Sequence, residues 1–255
     1  MQFGVSIDPN KPLVAEIAGI SKWNLDFVEI CIQPPLNTPE QLAKKALQVK
    51  KVLQANKLFA IGHAHPWSDL GSPDITVRAA WLVEMKRVIS AAAKLGLKRI
   101  ELHAHSAGIG FLTPALNKLI MDNFAASFAF LIEAAKQHKI AIAVENSWEG
   151  AKEFGALLSK VPGLHVTLDI GHAFMKGGLQ ELKEFVKIKG IDNLHVHDAQ
   201  GEIDHLPFGE GKIPLRGVAE LLKKIDYHGS AMIEVFGSKA EVKQSLDKFR
   251  EMMKE

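Results

Sequence analysis

The chain has 255 residues, of which 47% are hydrophobic and 24% charged, an ordinary globular balance that excludes a disordered chain and a collagen-like repeat. Lys and Arg total 31 against 29 Asp and Glu, a formal net charge of +2, so the composition lacks the basic footprint of a nucleic-acid-binding protein. One cysteine, Cys31, excludes a disulfide scaffold and fits a reducing compartment.

Short apolar or β-branched runs recur along the chain at 2–7, 27–31, 59–63, 99–103, 140–145, 165–169, 193–197 and 231–236. Their starts lie 25 to 41 residues apart, room for a crossover helix each time. In the first interval, 11–24 is a short helical stretch interrupted by Gly19. Thr38-Pro39-Glu40-Gln41 then carries an N-cap, a proline at the first helical position and a capping-box glutamine, and predicts a helix through Asn56. Ser72-Pro73-Asp74 opens a helix to Leu95 with Gly96 as its stop, and Thr113-Pro114 opens another through Lys139. Later helices are predicted over 178–189, 215–226 and 240–252.

Alternating strands and helices imply a parallel sheet. A (β/α)₈ barrel takes about 250 residues as one domain, and 255 divided by eight leaves about 32 per unit. We therefore expect an α/β single-domain TIM barrel over 1–255. An open doubly wound sheet is the alternative, weakened because no Gly-x-Gly-x-x-Gly follows the first strand. The N-terminal MQFGVSIDPN lacks a signal-peptide pattern, and no apolar run approaches a membrane span, so a cytoplasmic protein without a membrane partner is expected.

The predicted strands end at or near Glu29, His63, His103, Glu145, Asp169, His195 and Glu234. In a TIM barrel these ends converge on the face that carries the active site. Carboxylates gathered there repel one another unless a cation compensates, and His with Asp and Glu is a usual ligand set for a divalent ion. We expect metal ligation by Glu145, Asp169, His195 and Glu234, extended by His63 and His103, with Glu29 in support. The pairs His63/His65, His103/His105 and His195/His197 each send both members to one side if the strand continues, so one member could ligate while the other contacts substrate or supports a ligand from behind. A His-x-His also fits metal hydrolases of the amidohydrolase type, where it belongs on the first strand. His172 lies one turn beyond Asp169, where Gly171 would permit a bend. His205 precedes Leu206-Pro207-Phe208-Gly209-Glu210-Gly211, a loop whose glycines suit a fixed fold over the site; a solvated His205 is the alternative. Trp67, Trp148, Phe174 and Phe208 follow strand ends and either line a pocket or cap the core.

Taken in order, His63-Ala64-His65-Pro66-Trp67-Ser68-Asp69-Leu70, Leu102-His103, Val144-Glu145-Asn146, Leu168-Asp169-Ile170-Gly171-His172, His195-Val196-His197-Asp198, His205 through Gly211 and Ile233-Glu234 resemble the xylose-isomerase-like TIM-barrel superfamily. Its members include sugar isomerases and epimerases and the endonuclease IV family of abasic-site endonucleases. The resemblance implies a metal site at Glu145, Asp169, His195 and Glu234. In the epimerase branch Glu145 and Glu234 would be the catalytic acid and base, with His172 on the substrate. In the endonuclease branch His63, His103, His172 and His205 would join as ligands of a zinc cluster, and DNA would be the partner. Asp204 directly adjoins His205 where that branch has Asp-x-His, its N-terminal Gly-x-His is missing, and no Lys/Arg cluster suits a DNA backbone. We therefore expect an isomerase or epimerase of a small sugar or sugar-like polyol, using one to three Mn, Mg, Co or Zn ions. A metal-binding barrel with neither activity is the remaining alternative.

Overall fold

A computed structural model describes residues 1–103, 113–147 and 149–255. Eight parallel strands close into a barrel: β1 (Gln2–Ser6), β2 (Phe27–Ile32), β3 (Phe59–Ala64), β4 (Arg99–His103), β5 (Ala141–Glu145), β6 (His165–Asp169), β7 (Ile191–Val196) and, after a short hairpin, β10 (Ser230–Ile233). The hairpin pairs β8 (Asp198–Gln200) with β9 (Ile203–Leu206) in the connection after β7. Among the described residues eight α-helices complete the units: α1 (Leu13–Gly19), α2 (Pro39–Ala55), α3 (Ile75–Leu95), α4 (Pro114–Lys136), α5 (Ala151–Lys160), α6 (Ile170–Phe185), α7 (Leu215–Lys224) and α8 (Lys239–Lys254). The chain is thus the (β/α)₈ barrel that its strand spacing predicts.

Side-chain alternation divides the interior into two regions. Val28, Ile30 and Ile32 of β2, Ile100 and Leu102 of β4, Ile142 and Val144 of β5, and Leu194 and Val196 of β7 belong to the large core that includes helical Leu42, Val49, Phe124 and Phe128. The intervening residues turn inward. Phe27, Ile61 and Met232 form a separate apolar cluster there, and a Cβ on Gly4 would lie 2.5 Å from the Phe27 ring, so glycine leaves room for that filling. α4 is long and apolar enough to cross a membrane by length and composition, but Phe124, Phe128 and Leu131 on its inner face are buried in the core.

The caps anticipated for α2, α3 and α4 are present at Thr38, Asp74 and Thr113, and Gly96 ends α3 in the left-handed region at φ 80°. Three features differ from the sequence reading. α5 begins at a Gly150 cap without side-chain help, which left no signal. The hairpin occupies a stretch that reads as loop. α6 begins directly at Ile170, not near residue 178, because Asp169 caps it by accepting the His172 N–H. Gly171 is therefore helical and makes no bend. Its missing side chain serves a close approach instead, since a Cβ would lie 1.9 Å from the His197 ring. Non-helical backbone at Gly177 and Gly178 divides the helix.

Candidate metal centre at the barrel mouth

Glu145 and Asp169 end β5 and β6, His195 lies near the end of β7, and Glu234 follows β10. Parallel register brings them level, with Asp169 opposite His195 and His195 opposite Met232, two residues before Glu234. One donor atom from each lies within 4.8 Å of the others, and all four residues are buried. His195 Nδ1 is 2.9 Å from Glu234 Oε2 and 3.2 Å from Glu145 Oε1. Neither His195 Nδ1 nor Glu234 Oε2 makes a directed hydrogen bond. Such spacing suits ligands around one ion, because octahedral bonds of about 2.1 Å put neighbouring ligand atoms about 3.0 Å apart.

Electrostatics point the same way. Burial opposes ionisation of Glu145 and Glu234, yet His195 holds both well below the usual carboxylate range. Burial likewise opposes a charged His195, but Glu145, Glu234 and Glu29 raise it well above the usual imidazole range. Below them, Glu101 on β4 is fully buried with Oε2 2.9 Å from His195 Nε2. Burial pushes Glu29 up to about 7. Against its own burial, Glu101 is held at about 2 by His195. The quartet with Glu29 and Glu101 therefore gathers more acid than base among buried side chains, and a divalent cation meets that imbalance. Oxygen-rich donors with one imidazole fit manganese, magnesium or cobalt as well as zinc.

Two further donor groups adjoin this one. His63 Nε2 lies 3.0 Å from Glu145 Oε2 and 3.0 Å from His103 Nε2, while His103 Nδ1 meets Ser147 Oγ at 2.8 Å. Burial opposes charge on both imidazoles; the surrounding carboxylates still raise His63 to about 10, whereas His103 is held to about 4. On the other side, Asp169, His172, His197 and His205 form a third group. Asp204 joins it despite its direct adjacency to His205: Oδ1 is 2.9 Å from His205 Nδ1, and Oδ2 is 3.5 Å from His172 Nε2. His205 adopts a left-handed φ of 54°, and its ring is stacked on Phe236 at 4.1 Å and on His197 at 4.4 Å. It is held in the site rather than solvated.

Other expected contacts lie elsewhere. β3 ends at Ala64, so alternation does not carry past it: His63 faces the centre, but His65 turns to α3, 3.5 Å from Glu84 and beside Trp67 and Trp81. His197 is fully buried; its Nδ1 accepts the His205 N–H and its Nε2 is 3.1 Å from both Asp169 oxygens, so it braces Asp169. Phe208 is docked on α8 through Phe249, the Ser245 hydroxyl and Lys248, not turned to the mouth. Trp67 is 51% exposed, and His105 and Trp148 lie outside the described residues. The glycine-rich loop is fixed, as its sequence suggests, but by an unanticipated residue. Buried Asp198 accepts the N–H groups of Ala199, Gly209, Gly211 and Ile213. Glu101 and Phe236 were also unforeseen as site residues; period-two counting back from His103 would have found Glu101.

The sequence profile of the xylose isomerase-like TIM barrel family matches residues 17–252. The chain belongs to this family. Among curated relatives it is 26% identical over 253 residues to the putative L-ribulose-5-phosphate 3-epimerase SgbU of Escherichia coli K12, covering 91% of this chain and 85% of that protein. It is 28% identical over 233 residues to the L-ribulose-5-phosphate 3-epimerase UlaE of Escherichia coli O157:H7, covering 85% and 79%. The crystal structure of a D-tagatose 3-epimerase-like protein superposes with a TM-score of 0.84 at 25% identity, covering 100% of this chain and 97% of that one. A xylose isomerase-like barrel thus frames the donor cluster described above.

Proposed function

We propose that the chain is a divalent-metal-dependent epimerase or isomerase of a small ketose or ketose phosphate. The observation that carries this reading is the buried quartet Glu145, Asp169, His195 and Glu234, whose donor atoms lie within 4.8 Å of one another at the strand ends of the barrel. The sugar 3-epimerase names of its relatives support the substrate class. These four residues would hold the ion, which when bound supplies a Lewis acid that polarises the sugar carbonyl and so acidifies the neighbouring C–H.

The protein does the rest. Glu145 and Glu234 are both carboxylates at neutral pH, held so by His195. An ionised carboxylate is the form that accepts a proton from carbon. One glutamate takes the C–H proton. The other first receives a proton from its charged histidine neighbour (His205 Nε2 is 3.6 Å from Glu234 Oε2, His63 Nε2 3.0 Å from Glu145 Oε2) and delivers it to the opposite face, inverting that carbon. The proton taken from carbon passes back to the histidine left neutral or to solvent. Glu101, Thr167 and Asn193 are hydrogen-bonded below the quartet, while His172 and His205 stand at its side with Asp204 between them. His172 is placed to donate to a sugar hydroxyl. Phe236 covers His205 and limits water on that side.

The test is solvent deuterium exchange and epimerisation with L-ribulose 5-phosphate and D-tagatose, with each of Mn²⁺, Mg²⁺, Co²⁺ and Zn²⁺ added to metal-free protein. Metal-dependent exchange at the carbon beside the carbonyl is expected, and its absence across the panel rejects the reading. One observation favours a second reading, zinc-dependent phosphodiester hydrolysis on abasic DNA: the His63–His103–Glu145 and Asp169–His172–His197–His205 groups share Glu145 and Asp169 with the quartet. That reading requires more than one ion per chain, so elemental analysis giving a single ion counts against it.

A further inference from the structure

One carboxylate beneath the centre is left without a part in that chemistry. Glu101 lies two residues before His103 on β4, so alternation turns it into the barrel one layer below the mouth. Its Oε1 accepts from Thr167 Oγ1 at 2.6 Å and from Asn193 Nδ2 at 3.0 Å. Asn193 is itself fixed, its Oδ1 accepting from Ser230 Oγ at 2.6 Å. Oε2 is therefore left to meet His195 Nε2, 2.9 Å away. Strands β4, β6, β7 and β10 all contribute to this chain of bonds, so it is rigidly held by the sheet.

A neutral imidazole carries one proton, and the bond made by one nitrogen decides what the other offers. An ionised carboxylate only accepts. When an ion is held beside Glu145 and Glu234, Glu101 below would keep the one remaining proton on Nε2 and leave the Nδ1 lone pair free for that ion. Glu29 Oε2 is also 3.2 Å from Nε2, but neither Glu29 oxygen makes a directed hydrogen bond, so it contributes charge without direction.

We propose that Glu101 is a positioning residue that fixes His195 as its Nε2–H tautomer and aims Nδ1 at the metal site. The proposal rests on the metal-site part of the reading above and needs no particular substrate. The probe is Mn²⁺ or Zn²⁺ titrated into metal-free protein against a chromophoric chelator. Outer-shell partners of metal-bound histidine typically carry about 10–100-fold in affinity, and Glu101→Gln is expected to lose that much. In histidine-¹⁵N-labelled, metal-loaded protein the His195 Nε2–H signal should shift or vanish in the same variant. Thr167→Val removes one donor to Glu101 and leaves the His195 contact in place. It is expected to cost about tenfold or less by the same principle, and serves if Glu101→Gln fails to fold.

A role in packing alone would lower the thermal midpoint of the metal-free protein and leave both readouts unchanged, which overturns the proposal. Weakened binding in a protein that epimerises no sugar would sink the epimerase reading and leave this one standing. Wild-type protein that binds no divalent ion overturns both.

Discussion

The two ends of the barrel use the same side-chain types in different surroundings. At the strand starts, His165 of β6 pairs with Asp192 of β7, and Arg99 of β4 is 3.7 Å from that aspartate. Their side chains are 45%, 32% and 20% exposed. At the strand ends, His195 faces Glu145 and Glu234 with exposures of 0%, 1% and 10%. Water screens the first set, and such exposed pairs are worth about 0–1 kcal/mol. Deprived of water, the second set must hold its charge through its own members or a bound cation. Depth, more than residue type, separates a surface ion pair from a candidate active centre.

The sharpest way to break that contrast is Glu145→Gln. It removes a ligand charge and a proton acceptor, and general-base loss costs about 10²–10⁴-fold. Turnover should fall by that order with an unchanged circular dichroism spectrum; full activity would undo the acid–base assignment. Metal removal comes next. A ligand at 100 times its Kd stabilises the folded state by about 2.7 kcal/mol. Chelation should therefore lower the thermal midpoint, and the midpoint should recover when Mn²⁺ or Zn²⁺ is restored.

The pH dependence is a third measure. In the metal-free chain His63, His172 and His205 are raised from 6.5 to about 10, 9 and 11, against the opposing effect of burial, by the carboxylates around them. Their stabilisation is fully present below pH 6.5 and is lost as pH rises through 9 to 11. The metal-free melting temperature should thus fall across that alkaline window. An ion that recruits these imidazoles must displace their protons, so its affinity should rise from pH 6.5 to 9, with proton release visible by calorimetry in buffers of different ionisation enthalpy. The smallest effect belongs to the other end of the barrel. His165→Ala should change stability by about 0.5 kcal/mol or less and leave metal affinity alone. A large loss in denaturant titration would erase the distinction between the two ends.

The regular architecture was legible because its signals are local. Thr38 to Gln41 spell a capping box and Gly96 a helix stop, and both need only neighbouring residues. Glu145 and Asp169 could be assigned to strand ends for the same reason, as each closes an apolar run. His65 and His197 could not be separated from His63 and His195, because the decision turned on where β3 and β7 stop, a matter of one residue. Asp204 was discounted for standing next to His205, yet the hairpin and the left-handed turn at His205 let both face His172. Phe208 could line the mouth or cap the core, because its loop follows a strand; the bonds to Ser245 and Lys248 that hold it on α8 cross about forty residues of chain.

By itself, then, the sequence determined a (β/α)₈ barrel with acids and histidines at its strand ends, because period-two alternation, caps and spacing are written in consecutive residues. Only the tertiary structure decided which of them meet. Closure of the barrel sets Glu101 of β4 under His195 of β7, and Glu234, just past β10, beside it. Contacts between strands so far apart in sequence depend on register and burial, which no local pattern encodes.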